Sequence, residues 1–301
     1  MKEFFSQGKV LLTAEYAVLE GVKALALPTK KGQSLTVNET NNGTLVWKAF
    51  THDHELWIDA IFNQNFDCID AKHTAAAVIN KLTVLLKAMN HLCPAFNKTG
   101  LELTTHLDFP QDWGLGSSST LINNLGQWLQ INPYELLEKS FGGSGYDIAA
   151  AQSRSPLFYT RNVYSPTVKT STFNPRFKDA LFFVHLNQKR NSQDAISSFN
   201  KRSNLGEASK ERLAKIGEEI EQCTNQKEFN MLLREHEMIT GEFLGEQPIQ
   251  ERLFADFNGQ IKSLGAWGGH FILASGDQQT PSFFEDKGFK TVIAYKDFIL
   301  Q

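Results

Sequence analysis

Residues 110–120, PQDWGLGSSST, constrain this chain more than any other stretch. An alternating run precedes them, with Leu101, Leu103, Thr105, Leu107 and Phe109 on one side, the period-two pattern of a half-buried strand. A helical pattern follows, in which Leu121, Ile122, Leu125, Trp128 and Leu129 recur at helical spacing. Strand, glycine-rich loop and helix start in direct succession leave the first-turn N–H groups unpaired at the positive end of the helix dipole, where an anion is accommodated. Glycines let the backbone come close, and consecutive serines can cap the helix or hold a metal ion. No G-K-S or G-K-T follows, which excludes the P-loop, and no G-x-G-x-x-G occurs, which excludes the dinucleotide fingerprint. Taken alone, the segment reads equally as a phosphate cradle or as a serine-capped turn without a ligand.

Composition narrows the class. With 301 residues, 41% of them hydrophobic, the chain can build one large domain or two ordinary ones. A net charge of −3 without basic clusters argues against a nucleic-acid binder, which needs phosphate-neutralising patches. Residues 113–134 carry no formal charge, but Gly, Ser, Asn and Gln interrupt them, so no membrane span is expected. Lys9 and Glu15 likewise interrupt any signal-peptide core near the start. Cys68, Cys93 and Cys223 are odd in number and far apart, which fits a reducing, cytoplasmic setting better than a disulfide frame. His52 and His54 bracket Asp53 and could hold a metal, although adjacent polar side chains in a turn more simply face water. No heptad seam marks an oligomer, so a monomer or homodimer is expected, with a small-molecule partner and neither nucleic acid nor membrane.

The pattern changes along the chain. The first half holds short β-like runs at 10–12, 34–37 and 44–47, the last two joined by Asn41-Asn42-Gly43 as an expected hairpin, and then a helix over 75–91. The second half opens on an apolar strand at 180–186. It continues with two helices, one burying Leu213, Ile216 and Ile220 and the other Phe229, Leu232, Leu233 and His236. A glycine turn and strands near 271–274 and 291–295 follow. This is an α+β pattern with a boundary near residue 170, giving domains 1–170 and 171–301.

Three further segments accompany the glycine loop. Residues 8–21 read GKVLLTAEYAVLEG, residues 142–149 read GGSGYDIA, and residues 262–270 read KSLGAWGGH. In this order and spacing the four segments resemble the GHMP kinase superfamily, whose members include galactokinase, homoserine kinase, mevalonate kinase and phosphomevalonate kinase. The resemblance runs nearly end to end, and the glycine loop is its most specific part. GSGYDIA followed by SPLFY is most similar to the mevalonate and phosphomevalonate kinase branch, and within it to bacterial homologues named for the peptide GYDIA. The implied fold is a two-domain one, with an N-terminal domain like the second domain of ribosomal protein S5 and a C-terminal ferredoxin-like α/β sandwich.

The resemblance implies ATP-dependent, Mg²⁺-assisted phosphoryl transfer to a hydroxyl or phosphate of a small molecule, with mevalonate or phosphomevalonate as candidate acceptors. A diphosphomevalonate decarboxylase-like enzyme and a catalytically silent, ligand-binding relative are the alternatives. Gly114, Leu115, Gly116, Ser117, Ser118 and Ser119 match the loop that wraps the triphosphate, and Ser118 the serine that contacts Mg²⁺. Lys9 matches the lysine beside the transferred group, as opposed to a surface lysine lying along a strand. Asp147 matches the catalytic aspartate, as opposed to a cap for the helix that follows. Glu138 is the candidate acidic metal ligand, although neither it nor Glu135 stands at the family's spacing from Asp147. Glu15 is expected to pair with Lys9.

The chain also departs from the family pattern. Trp267 stands where glycine is common and His270 where phosphomevalonate kinases often carry Asp; both are expected to reshape the acceptor pocket and leave the phosphate loop untouched. Lys189 and Arg190 could grip an anionic acceptor or simply be exposed loop charges.

Overall fold

The computed structural model describes residues 1–72, 74–96, 100–162, 165–187, 205–265, 267 and 269–301. Two sheets organise it. The first has eight strands: β1 (Lys2–Leu11), β2 (Ala24–Glu39), β3 (Leu45–Phe50), β4 (Leu56–Phe62), β5 (Cys68–Lys72), β6 (Leu101–Leu107), β7 (Leu157–Thr160) and β8 (Thr167–Thr170). Their order is β5-β4-β3-β6-β2-β7-β8, with β1 also paired to the long β2. The second, fully antiparallel sheet runs β10 (Gln260–Ser263), β11 (Phe271–Ser275), β9 (Leu181–His185), β12 (Val292–Ala294).

The Asn41-Asn42-Gly43 turn does not close a hairpin. β6 lies between β2 and β3, antiparallel to the first and parallel to the second. The turn instead passes over the end of β6, with Thr40 N–H donating to Gly100 O and Gly100 N–H to Thr44 O. Turn chemistry was legible locally, but the inserted strand begins some sixty residues later, and its apolar face fixes the pairing.

Helices α1 (Ala76–Leu92), α2 (Ser117–Leu129), α3 (Pro133–Ser140) and α4 (Tyr146–Gln152) belong to the first half of the chain. Leu82, Leu85, Leu86 and Met89 of α1 and Ile122 and Leu125 of α2 bury their apolar faces with Leu35, Trp47, Leu101 and Leu103 of the sheet. Helices α5 (Glu207–Gln222), α6 (Gln226–Leu244), α7 (Ile249–Leu253), α8 (Thr280–Asp286) and α9 (Tyr295–Phe298) belong to the second half. One core joins both halves: Val10, Leu27, Leu107 and Leu115 share it with Phe183, Ile216, Phe229, Phe271 and Phe298. The seam is also stitched by backbone, through a bridge between Thr29 and Ile299 and a bond from Leu300 N–H to Pro28 O. No helix among the described residues is long and apolar enough to cross a membrane.

Candidate active site

The glycine loop follows β6 as the sequence predicts and enters α2 at Ser117. Gly114 (φ 66) and Gly116 (φ 85) both take the left-handed conformation that glycine adopts freely. Gly116 is the N-cap, and no side chain caps the helix. Among the described residues, the amides of Gly116, Ser117 and Ser118 have no protein acceptor, whereas the Ser119 and Thr120 amides both close on Gly116 O. Ser118 is exposed, Ser117 half-buried and Ser119 buried. The open first turn therefore presents unpaired N–H groups and a hydroxyl beside the positive end of the dipole. The alternative of a serine-capped turn does not match this geometry.

Beside that turn stand Lys9 and Asp147. Lys9 Nζ lies 3.0 Å from Asp147 Oδ1 and donates to Gly114 O at 3.0 Å. It also sits 5.3 Å from the centre of the Tyr146 ring. Burial alone would lower the Lys9 pKa, but the Asp147 carboxylate and the Tyr146 phenol outweigh it and hold the ammonium charged well above its usual range. Burial also raises the Tyr146 pKa, so the phenol stays protonated. Lys9 is not a surface lysine, since only 11% of its side chain is exposed. Asp147 does not cap α4 either: Gly145 is the N-cap, no side chain caps that helix, and the carboxylate turns to Lys9. Two glycines allow the close approach of these segments. A Cβ on Gly8 would meet Thr29 Oγ1 at 2.6 Å and Leu115 Cβ at 3.2 Å, and one on Gly116 would meet Lys9 Cε at 3.1 Å and Asp147 Oδ1 at 3.5 Å.

The second half of the chain completes the wall. His270 lies against the loop, because a Cβ on Gly114 would fall 2.4 Å from its Nδ1. His185 Nε2 is 3.2 Å from Asp112 O, and Trp113 stacks edge-on against Phe271 and Phe298. Lys9, Gly114, Leu115, Leu264, Gly265 and His270 line a cleft of about 30 Å³. That is room for one water and not for a triphosphate. A groove of about 500 Å³ between α6 and β10 shares none of these residues.

Three expectations change. His270 does touch the glycine loop, because Gly114 has no side chain to hold the ring off. Trp267 is 1% exposed and packs into the core with Tyr16. Glu15 does not pair with Lys9. Ala14 (φ 60) and Tyr16 (φ 61) kink the turn after β1, and the Glu15 carboxylate meets Lys262 Nζ at 2.6 Å. Glu138 is exposed on α3, and no hydrogen bond or ion pair joins it to Ser118, Lys9 or Asp147 among the described residues. Lys189 and Arg190 lie outside the described residues.

The buried charges around Lys262 were the main feature that sequence reasoning missed. Lys262, Glu15, Glu237 and His236 are all 0–1% exposed. Lys262 Nζ also approaches Glu237 Oε1 at 3.4 Å and donates to Ser263 O at 3.0 Å. Ala14 N–H donates to His236 Nε2 at 2.8 Å, so that nitrogen carries no proton and Nδ1–H faces Thr240 Oγ1 at 3.2 Å. Burial, then the Lys262 charge, push the His236 pKa well below its usual value, which keeps the ring neutral. Glu15 Oε2 is left without a hydrogen-bond partner. Burial raises the Glu15 pKa to about 7, with Lys262 opposing and Glu237 reinforcing that rise. The only local signal was a lysine and a histidine on otherwise apolar faces.

A nucleotide and its magnesium fit these residues. The uncapped turn and the glycine cradle suit phosphate oxygens. No cluster of three or more metal-binding side chains occurs among the described residues, and Mg²⁺ bound to a nucleotide needs only one or two protein oxygens beside phosphates and water.

No protein-family model matches the sequence, and no curated protein matches it. Solved structures do. Mevalonate kinase of Methanococcus jannaschii aligns with a TM-score of 0.70 at 14% identity, covering 97% of this chain and 96% of that one. Phosphomevalonate kinase of Streptococcus pneumoniae, in complex with phosphomevalonate and AMPPNP, aligns at 0.68 and 14% identity, covering 95% and 96%. Galactokinase of Lactococcus lactis, complexed with galactose, aligns at 0.66 and 13%, covering 95% and 88%. The α+β chain therefore has the fold of the GHMP kinases.

Proposed function

We propose that this chain is an ATP-dependent small-molecule kinase, transferring a phosphoryl group to a hydroxyl or phosphate of its acceptor, with mevalonate and phosphomevalonate as the first candidates. The observation that carries this reading is the Lys9–Asp147 pair standing directly against Gly116 at the uncapped start of α2. The named ligands of the similar phosphomevalonate kinase, phosphomevalonate and AMPPNP, support the same substrate classes.

ATP would supply the transferred group, and Mg²⁺ would offset charge on its phosphates. The chain's part is positioning and electrostatics. Gly114, Leu115, Gly116, Ser117, Ser118 and Ser119 would hold the triphosphate, and the exposed Ser118 hydroxyl would hold the metal. Glu138 is a second candidate ligand only if α3 turns toward the loop. Lys9 stays charged and opposes negative charge developing on the transferred group. Asp147, released from Lys9 when substrate arrives, orients the acceptor hydroxyl and takes its proton late. Three unpaired cysteines fit a cytoplasmic setting.

The test is to incubate the chain with Mg·ATP and a panel of acceptors, following ³¹P NMR. Acceptor-dependent phosphate ester or diphosphate with ADP supports a kinase. Release of CO₂ and free phosphate supports the decarboxylase alternative, and binding without turnover the silent one.

A further inference from the structure

Trp267 has φ 48, a left-handed conformation that a bulky residue adopts only where its surroundings enforce it. Its indole N–H donates to Glu237 Oε1 at 3.1 Å. One helical turn further along α6, a Cβ on Gly241 would fall 3.1 Å from Trp267 Cη2, so the missing side chain is what admits the ring. Glu237 and Gly241, four residues apart on one helix face, thus form a socket. Tyr16, Leu19, Phe243 and Leu244 pack around it. Glu237 also accepts from Ser263 Oγ–H at 2.8 Å.

Ser263 and Trp267 stand on either side of Leu264 and Gly265, which line the cleft with Lys9 and Gly114. Three residues past Trp267, His270 rests on Gly114. A tryptophan that merely filled a core would not require a strained backbone. Here the residue with the strained backbone is the one whose ring is plugged into α6.

We infer that Glu237 and Trp267 are positioning residues for the phosphate loop. By holding Ser263 and Trp267 to one helix face they fix where His270 meets Gly114 and where Gly265 lines the cleft, without either one touching substrate. The functional half of this inference rests on the nucleotide reading of the loop.

The test uses the full chain with Glu237→Gln, which removes one acceptor, and Trp267→Phe, which keeps a ring but removes the donor. The first readout is the His270 ring resonance in ¹H–¹³C NMR without nucleotide, assigned with His270→Gln. The second is ATP affinity by calorimetry without acceptor. Both variants should displace the His270 resonance and weaken ATP binding by about tenfold, and the double variant should be no worse than the poorer single one, because the two share one interaction. If Glu237→Gln fails to fold, Trp267→Phe carries the test. Folded variants with an unchanged His270 resonance and unchanged ATP affinity overturn the inference, whatever their loss of thermal stability. Displaced resonances in variants of a protein that itself binds no ATP uphold the positioning and sink the nucleotide reading.

Discussion

Replacing Glu15 with glutamine tests the buried charges, and its effect should depend on pH with a definite sign. Glu15 and Glu237 share a single lysine in a fully buried site, and His236 beside them is neutral. Two carboxylates against one ammonium leave a surplus negative charge in a low-dielectric setting, which a proton on Glu15 removes. Its carboxyl titrates near 7 when folded, against an ordinary 4.5. At ~1.4 kcal/mol per pH unit, the folded state then holds this proton more tightly by about 3 kcal/mol. The contribution is complete below about pH 4.5 and lost as the pH rises through 7. The introduced glutamine cannot ionise, and its carbonyl can still accept from Lys262. Urea unfolding of both proteins at several pH values isolates the effect, since the other titrating groups cancel in the difference. The Glu15→Gln variant should gain up to ~3 kcal/mol on wild type between pH 4.5 and 8. A flat difference would refute the surplus-charge argument. A difference that is flat above pH 4.5 and shifts in the variant's favour only as the pH falls below that value would show that Glu15 is an ordinary ionised partner of Lys262.

Other expectations follow from the site. Asp147→Asn should abolish acceptor-dependent ADP formation while leaving nucleotide affinity within severalfold; near wild-type turnover would remove Asp147 from the chemistry. Ser118→Ala should weaken binding of Mg·ATP more than binding of metal-free ATP, read by calorimetry with and without chelator. Gly114→Ala forces a methyl group against the His270 ring at a positive φ and should cost about 1–3 kcal/mol of stability, part of it recovered in the Gly114→Ala/His270→Ala double variant. Lys262→Met leaves two buried carboxylates without a cation and should destabilise by ~3–5 kcal/mol at pH 8 in chemical denaturation.

What the sequence disclosed divides along the range of the forces. The strand at 101–107, the loop and α2 were legible because period, glycine and helix start lie within thirty residues of one another. Lys9 and Asp147 were legible only through the spacing of four segments, and their contact at 3.0 Å is made across 138 residues of chain. The Glu15–Lys262 pair, spanning 247 residues, left no local trace. The sequence offers Lys9 as the nearest cation for Glu15, because nothing in it reports that Ala14 and Tyr16 turn left-handed. Trp267 misled for a related reason. A large ring in a glycine turn suggests an altered pocket, whereas the space that receives it is a missing side chain on a distant helix.

The stitch between Thr29 and Ile299, with Leu300 bonded to Pro28, has a consequence for synthesis. Strands β1 to β8 can pair as they emerge from the ribosome, yet the shared seam stays open until residue 300 has been made. Until then Val10, Leu27 and Leu115 face water, and the nascent first sheet needs shielding. A translation stall between residues 170 and 290 should therefore leave a chaperone client whose candidate site lacks its second wall.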